Sequence, residues 1–109
     1  MSQQTEILKG TLALLILRTL ELEPRHGVSI ADRIEQISRG TFSVKAGSLF
    51  PALHRLEQEG FITGDWSTSD TGRRVKSYKL TTAGRQQLAA EKKQWARIVS
   101  AIGLVLDSD

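Results

Sequence analysis

The chain has 109 residues, a formal net charge of +3, 39% hydrophobic and 25% charged residues, and no cysteine. That length allows one domain with a modest core, and those proportions fit a soluble globular protein. The lack of thiols excludes disulfides, thiolate zinc sites and cysteine nucleophiles, and the apolar run Leu12–Leu17 falls far short of the about 20 residues that span a bilayer.

The polar start MSQQTE lacks the basic-then-apolar pattern of a signal peptide, so a cytoplasmic protein is expected. Residues 5–22 have a helical pattern whose middle (Leu12, Leu14, Leu15, Ile16, Leu17, Leu20) is apolar nearly all round. A helix in a small domain shows one stripe to its own core, so this pattern implies burial on two sides, the second against a partner subunit. Pro24 ends it, because proline disfavours helical geometry in the residue before it. His26-Gly27 opens a second helix with the stripe Val28, Ile30, Ala31, Ile34 and Ile37, closed by Arg39-Gly40, whose glycine suits a left-handed cap. A third helix runs from about Ala46 to Glu59 and stops at Gly60.

Residues 61–66 and 75–80 read as paired strands joined by a projecting polar turn over 67–72. In the second strand Tyr78 and Leu80 alternate with Ser77 and Lys79 and are expected to face the core. Trp66 is read as core or wing-base packing. Thr81 or Thr82 caps a last helix from about Ala83 to Leu106, on which Leu88, Trp95 and Ile102 recur every seven residues beside Ile98 and Val99. The expected fold is α+β, mainly α: a winged helix-turn-helix of three helices and a two-stranded wing over 1–81, then a long C-terminal dimerisation helix over 82–109.

Charge is unevenly placed. Residues 1–72 hold seven Lys/Arg against nine Asp/Glu, whereas residues 73–97 hold eight Lys/Arg against Glu91 alone. A solvated basic face is one reading; an electrostatic footprint for a polyanion is the other, and the position of Arg73, Arg74 and Lys76 at the wing favours it. Leu49, Leu53 and Leu56 mark the inner face of the third helix. Opposite them stand Gly47, Ser48, Pro51, His54, Arg55 and Gln58, small or hydrogen-bonding groups suited to a major groove. Backbone amides near Gly27 and Ser29 could hold a further phosphate.

With Lys9-Gly10-Thr11-Leu12, His26-Gly27, Gly47-Ser48-Leu49-Phe50-Pro51-Ala52-Leu53, Arg55-Leu56-Glu57, Gly60-Phe61-Ile62 and Gly72-Arg73-Arg74 through Gly84, the chain resembles the PadR family of bacterial transcriptional regulators over nearly its whole length. Its size suggests the compact subfamily with a single C-terminal helix. The resemblance implies a homodimer, formed by the last helix against the partner's N-terminal region, that represses genes from palindromic double-stranded operator DNA. It implies recognition-helix contacts through Lys45, Ser48, Phe50 and Pro51 and wing contacts through Arg73, Arg74 and Lys76. The helix face adds His54 and Arg55 to the expected DNA-binding set. The expected dimer interface comprises Leu8, Leu12, Leu15, Leu88, Trp95, Ile98, Val99 and Ile102. Three positions depart from the family pattern: Phe50 and Val28 stand where tyrosine is common, and Lys45 where a small polar cap is.

Some PadR regulators carry a tryptophan midway along the last helix, where the dimer pairs it around a pore for flat aromatic compounds. The resemblance therefore admits a planar aromatic effector beside Leu8, Thr11, Leu15, Trp95 and Val99, while packing on the partner's first helix is the alternative role for Trp95. Catalysis is not expected. His26 and His54 lie on different elements with no acidic or nucleophilic partner at a telling spacing, Asp107 and Asp109 form an acidic tail, and no glycine-rich phosphate loop follows a strand. No metal or cofactor is expected. The rival to a DNA-reading repressor is a winged-helix protein-interaction module with no specific DNA site.

Overall fold

The apolar stripes assemble into four helices and three strands in the computed structural model, which describes residues 11–109. The order is α1 (Thr11–Leu22), β1 (Arg25–His26), α2 (Gly27–Ile37), α3 (Ala46–Gln58), β2 (Ile62–Thr68), β3 (Arg74–Leu80) and α4 (Thr82–Leu106). Leu8, expected in the interface and the effector pocket, and the Lys9-Gly10 of the family pattern lie outside the described residues, as does the predicted helix before Thr11.

α1 is the centre of the domain and packs on α2, α3, α4 and β3. At about 100° per residue, its buried Leu12, Ile16, Leu17, Thr19 and Leu20 share one broad arc, and Thr11, Leu14, Leu15, Arg18 and Leu22 occupy the other. The nearly all-round apolarity therefore divides: one arc builds the chain's own core, while the second stays half-buried or exposed. Ile30 and Ile34 of α2, Leu49, Leu53 and Leu56 of α3, Ile62, Tyr78 and Leu80 of the sheet and Leu88 of α4 complete the core. Leu12 and Leu88, expected at a subunit interface, are thus core residues, 9% and 1% exposed. Thr19, a buried polar side chain of α1, donates its hydroxyl to the Leu15 carbonyl at 2.7 Å.

β2 and β3 pair antiparallel from Ile62↔Leu80 to Thr68↔Arg74, so the strands reach beyond the predicted ends and shorten the turn to residues 69–73. β1 extends this two-stranded wing to a three-stranded sheet of order β1-β3-β2, with Arg25 opposite Tyr78 and His26 opposite Ser77. Pro24 explains it: by ending α1 it leaves the next two residues extended beside β3.

Two helices end in the same way. At α3 the Phe61 N–H bonds the Leu56 carbonyl and the Gly60 N–H the Glu57 carbonyl, with Gly60 at φ 80. This is a Schellman cap with glycine in its left-handed position. At α2 the matching bonds run from Gly40 to Glu35 and from Arg39 to Gln36, so the residue one place past the cap is Arg39, at φ 54, with Gly40 following at φ 78. The left-handed position expected for glycine is held by arginine, at a steric cost. Arg39→Gly is accordingly expected to raise the unfolding free energy by about 0.5–1 kcal/mol, because relief of that strain outweighs glycine's extra unfolded-state entropy. A urea titration reads this directly, and an unmoved midpoint would mean that Arg39 is unstrained in solution.

α4 begins on a joint built by Thr81. Its hydroxyl accepts the Gly84 N–H at 2.9 Å and donates to the Gly60 carbonyl at 2.6 Å, and its own N–H bonds the Phe61 carbonyl at 3.1 Å. The helix is thereby tied to the end of α3 and the start of β2. Further along, Lys92 reaches Glu21 of α1 at 3.3 Å, and Arg18 meets the same carboxylate at 2.6 Å. Among the described residues no helix is long and apolar enough to cross a membrane.

Candidate nucleic-acid interface

α3 turns Leu49, Ala52, Leu53 and Leu56 inward, which leaves Ser48, Phe50, Pro51, His54 and Arg55 on an exposed face with Lys45 at its N-terminal end. Lys45 makes no side-chain cap; the Ser48 and Leu49 amides bond its carbonyl, both at 2.9 Å. The earlier first-turn amides keep no side-chain acceptor, and the positive end of the helix stays open to an anion. Pro51 deprives the Gly47 carbonyl of its helical donor, at a position where both residues are exposed.

The wing stands beside this face. Its tip is a defined turn: the Ser69 N–H bonds the Arg73 carbonyl at 2.8 Å, the Gly72 N–H bonds the Ser69 carbonyl at 2.9 Å, and Gly72 supplies the positive φ of 83. Arg73 and Arg74 leave the turn exposed. Between wing and helices lies an open groove of about 430 Å³ walled by His26, Val28, Phe50, Trp66, Arg73 and Arg74, with no carboxylate in its lining. The Phe50 ring forms its floor by lying against the start of α2, where a Cβ on Gly27 would sit 3.0 Å from the ring. Phe50 therefore joins the two helices as well as facing outward, 45% exposed.

Lys76 is placed differently from the two arginines. Its ammonium bonds Glu57 of α3 at 2.9 Å and is only partly exposed, so its charge turns toward that helix. The hydrogen bond to Glu57 raises the pKa of Lys76 above the ordinary lysine value, and burial raises that of Tyr78 beside it. Gly64 makes this path possible: a Cβ there would overlap the Lys76 side chain and crowd the Tyr78 ring. Trp66 is not core. It is 58% exposed and lies under the Arg74 guanidinium, 4.9 Å from its ring centroid.

The other expected surfaces lie on α1 and α4. Trp95, Ile98, Val99 and Ile102 are 37–50% exposed, and Leu104, Val105 and Leu106 beyond them are still more open. Thr11 and Leu15, half-buried, face outward from α1, the helix that packs on α4. Among the described residues no group of three or more His, Asp or Glu could hold a metal ion.

Sequence reasoning missed His26 and Val28 as groove walls, Glu57 as the partner of Lys76, and Trp66 as the support of Arg74. Only the last had a usable signal. Once the strands are paired, side chains two residues apart share a face, and Gly64, Trp66 and Thr68 fall opposite Tyr78, Lys76 and Arg74.

Comparison with known proteins agrees with this geometry. The model of the transcriptional regulator PadR-like family matches residues 16–90. A PadR-like transcriptional regulator of Bacillus cereus shares the fold with a TM-score of 0.79 and 27% identity, covering 96% of this chain and 100% of that one. A PadR family transcription regulator of Clostridium difficile gives 0.76 and 31%, covering 89% and 99%. A transcriptional regulator of Mycobacterium tuberculosis is 36% identical over 59 residues, 54% of either chain.

Proposed function

The chain belongs to the PadR-like family of transcriptional regulators, which are not enzymes, and we propose that it is a homodimeric repressor of an inverted-repeat DNA operator. One observation carries this reading: the exposed face of α3 and the wing arginines flank a groove whose lining holds cations and apolar groups but no carboxylate. A phosphate backbone would meet attraction across that surface and repulsion from none of its walls.

In this reading Ser48, His54 and Arg55 meet base edges or the backbone beside them, and Phe50 and Pro51 make apolar contact, for which thymine methyl groups are suited. Lys45, Arg73 and Arg74 hold phosphates, while Lys76 serves the wing from behind. Residues 82–109 form the dimerisation helix through Trp95, Ile98, Val99 and Ile102, facing Leu15 of the partner subunit. A planar aromatic effector beside Trp95, Thr11, Leu15 and Val99 relieves repression by shifting α4, and the site of action is the cytoplasm. Support for the dimer comes from the apolar row itself, since four neighbouring large side chains are left open on one helix.

Sequencing the genomic fragments that the purified protein retains tests the whole reading. The expected result is an inverted repeat with half-sites about 34–36 Å apart, one helical turn of DNA. Binding that falls steeply with salt but never exceeds the nonspecific level would overturn it in favour of a protein-interaction module.

A further inference from the structure

One face of the wing carries an alternating stack of cations and aromatic rings. β3 contributes Tyr78, Lys76 and Arg74, and β2 contributes Trp66 in register with Lys76. From the buried end outward, the Lys76 ammonium lies 5.3 Å from the Tyr78 ring centroid and 5.7 Å from that of Trp66, and the Arg74 guanidinium lies 4.9 Å from Trp66 on the tip side. The inner end is anchored twice: Tyr78 is buried in the core, and Lys76 is bonded to Glu57 of the recognition helix at 2.9 Å. Gly64 leaves the space through which Lys76 passes. Among the described residues Arg74 makes no ion pair, so its charge is held by a ring and by no carboxylate.

Trp66 contributes little to the core, being 58% exposed. An exposed indole under an unpaired guanidinium has a specific physical effect. Ring attraction restricts an arginine that would otherwise sample many rotamers, so less freedom is lost when that arginine meets its target. We propose that Trp66 is a positioning residue for DNA binding: it holds Arg74 at a fixed height on the wing, in a stack tied through Lys76 and Glu57 to the recognition helix. This rests on the reading of the wing as a backbone contact, in which Arg74 touches phosphate and Trp66 acts through it. The stack then sets the distance between the wing cation and the helix that reads bases.

The test is a double-mutant cycle on a fluorescein-labelled mixed-sequence duplex, titrated at several salt concentrations, with the thermal melt of each protein recorded. Arg74→Ala is expected to weaken binding and to make the salt slope shallower by about one, the loss of one phosphate contact. Trp66→Ala is expected to weaken binding about threefold in the parent, with the slope changed less because the arginine charge remains, and to have no further effect in the Arg74→Ala background. Trp66→Phe restores most of the loss, since a phenyl ring still offers a face, and it keeps the test valid if the alanine variant melts early. Equal losses from Trp66→Ala with and without Arg74 would overturn the positioning role, because Trp66 would then touch DNA itself or only support the fold. If Arg74→Ala leaves both affinity and slope unchanged, Arg74 does not reach the backbone and the proposal falls, and only if Arg73→Ala is equally without effect does the wing reading fall with it.

Discussion

Replacing Gly84 with alanine is expected to cost about 2–3 kcal/mol of folding stability. The sign is the informative part, because helix propensity predicts the opposite: in an open helix the same change gains about 1 kcal/mol. Gly84 sits in the first turn of α4, where a Cβ would overlap the Phe61 carbonyl oxygen and approach Leu80 Cδ2 to 3.1 Å. The leucine methyl could rotate away. The carbonyl cannot, because it already accepts the Thr81 N–H at 3.1 Å, and Thr81 in turn holds the Gly60 carbonyl and caps Gly84. Relief therefore requires α4 to lift off the α3–β2 joint, which pulls Leu88 from the core and breaks the cap. The overlap outweighs propensity. Equilibrium urea unfolding of Gly84→Ala checks this, and a midpoint at or above the parent value would show that the first turn of α4 stands away from Phe61 in solution.

This joint also shows what was legible in the amino-acid sequence. The stop at Gly60 was readable and the cap was narrowed to Thr81 or Thr82, since a threonine before a helical pattern and a glycine after one have local meanings. The wing was readable for a similar reason: alternating residues, a polar turn and two arginines occupy adjacent positions. What could not be read was how those local pieces meet. Lys76 and Glu57 are 19 residues apart, and nothing in either neighbourhood announces the pair. β1 has two residues, too few for any period to appear. Arg39 takes a left-handed conformation because the chain must turn one residue before the available glycine.

Burial was the other limit. Leu12 and Leu88 belong to apolar stripes that served equally well for a core or for a subunit contact, and only the packing of α1 against α4 assigns them to the core. Trp66 was left open between the core and the base of the wing, since a large aromatic in a strand suits either, and only the core alternative fails. Strand register decides its face, and its role depends on the cations opposite. For the candidate site, the residue types on α3 and the wing were legible, whereas their division of labour was not: Arg73 and Arg74 are exposed, whereas Lys76, on the same strand face as Arg74, bonds Glu57 of α3.

The largest functional effect is expected from the double variant Ile98→Glu, Ile102→Glu. These side chains lie one helical turn apart on α4 and are 37% and 50% exposed in the single chain. The monomer fold therefore loses little when they change, and its far-UV circular dichroism should match the parent. In a dimer joined through this face, four carboxylates would enter an apolar contact without partners, and each unpaired buried charge costs several kcal/mol, enough to separate the subunits. A separated subunit keeps its own α3 and wing but loses the second half-site, so operator affinity should fall by about a hundredfold or more, the usual gain from joining two binding modules. Sedimentation equilibrium and operator titration must be read together. A variant that stays dimeric would move the interface off this face of α4. A variant that is monomeric yet binds operator as tightly as the parent would show that one α3 and one wing suffice, and the inverted-repeat operator would then have no physical basis in this chain.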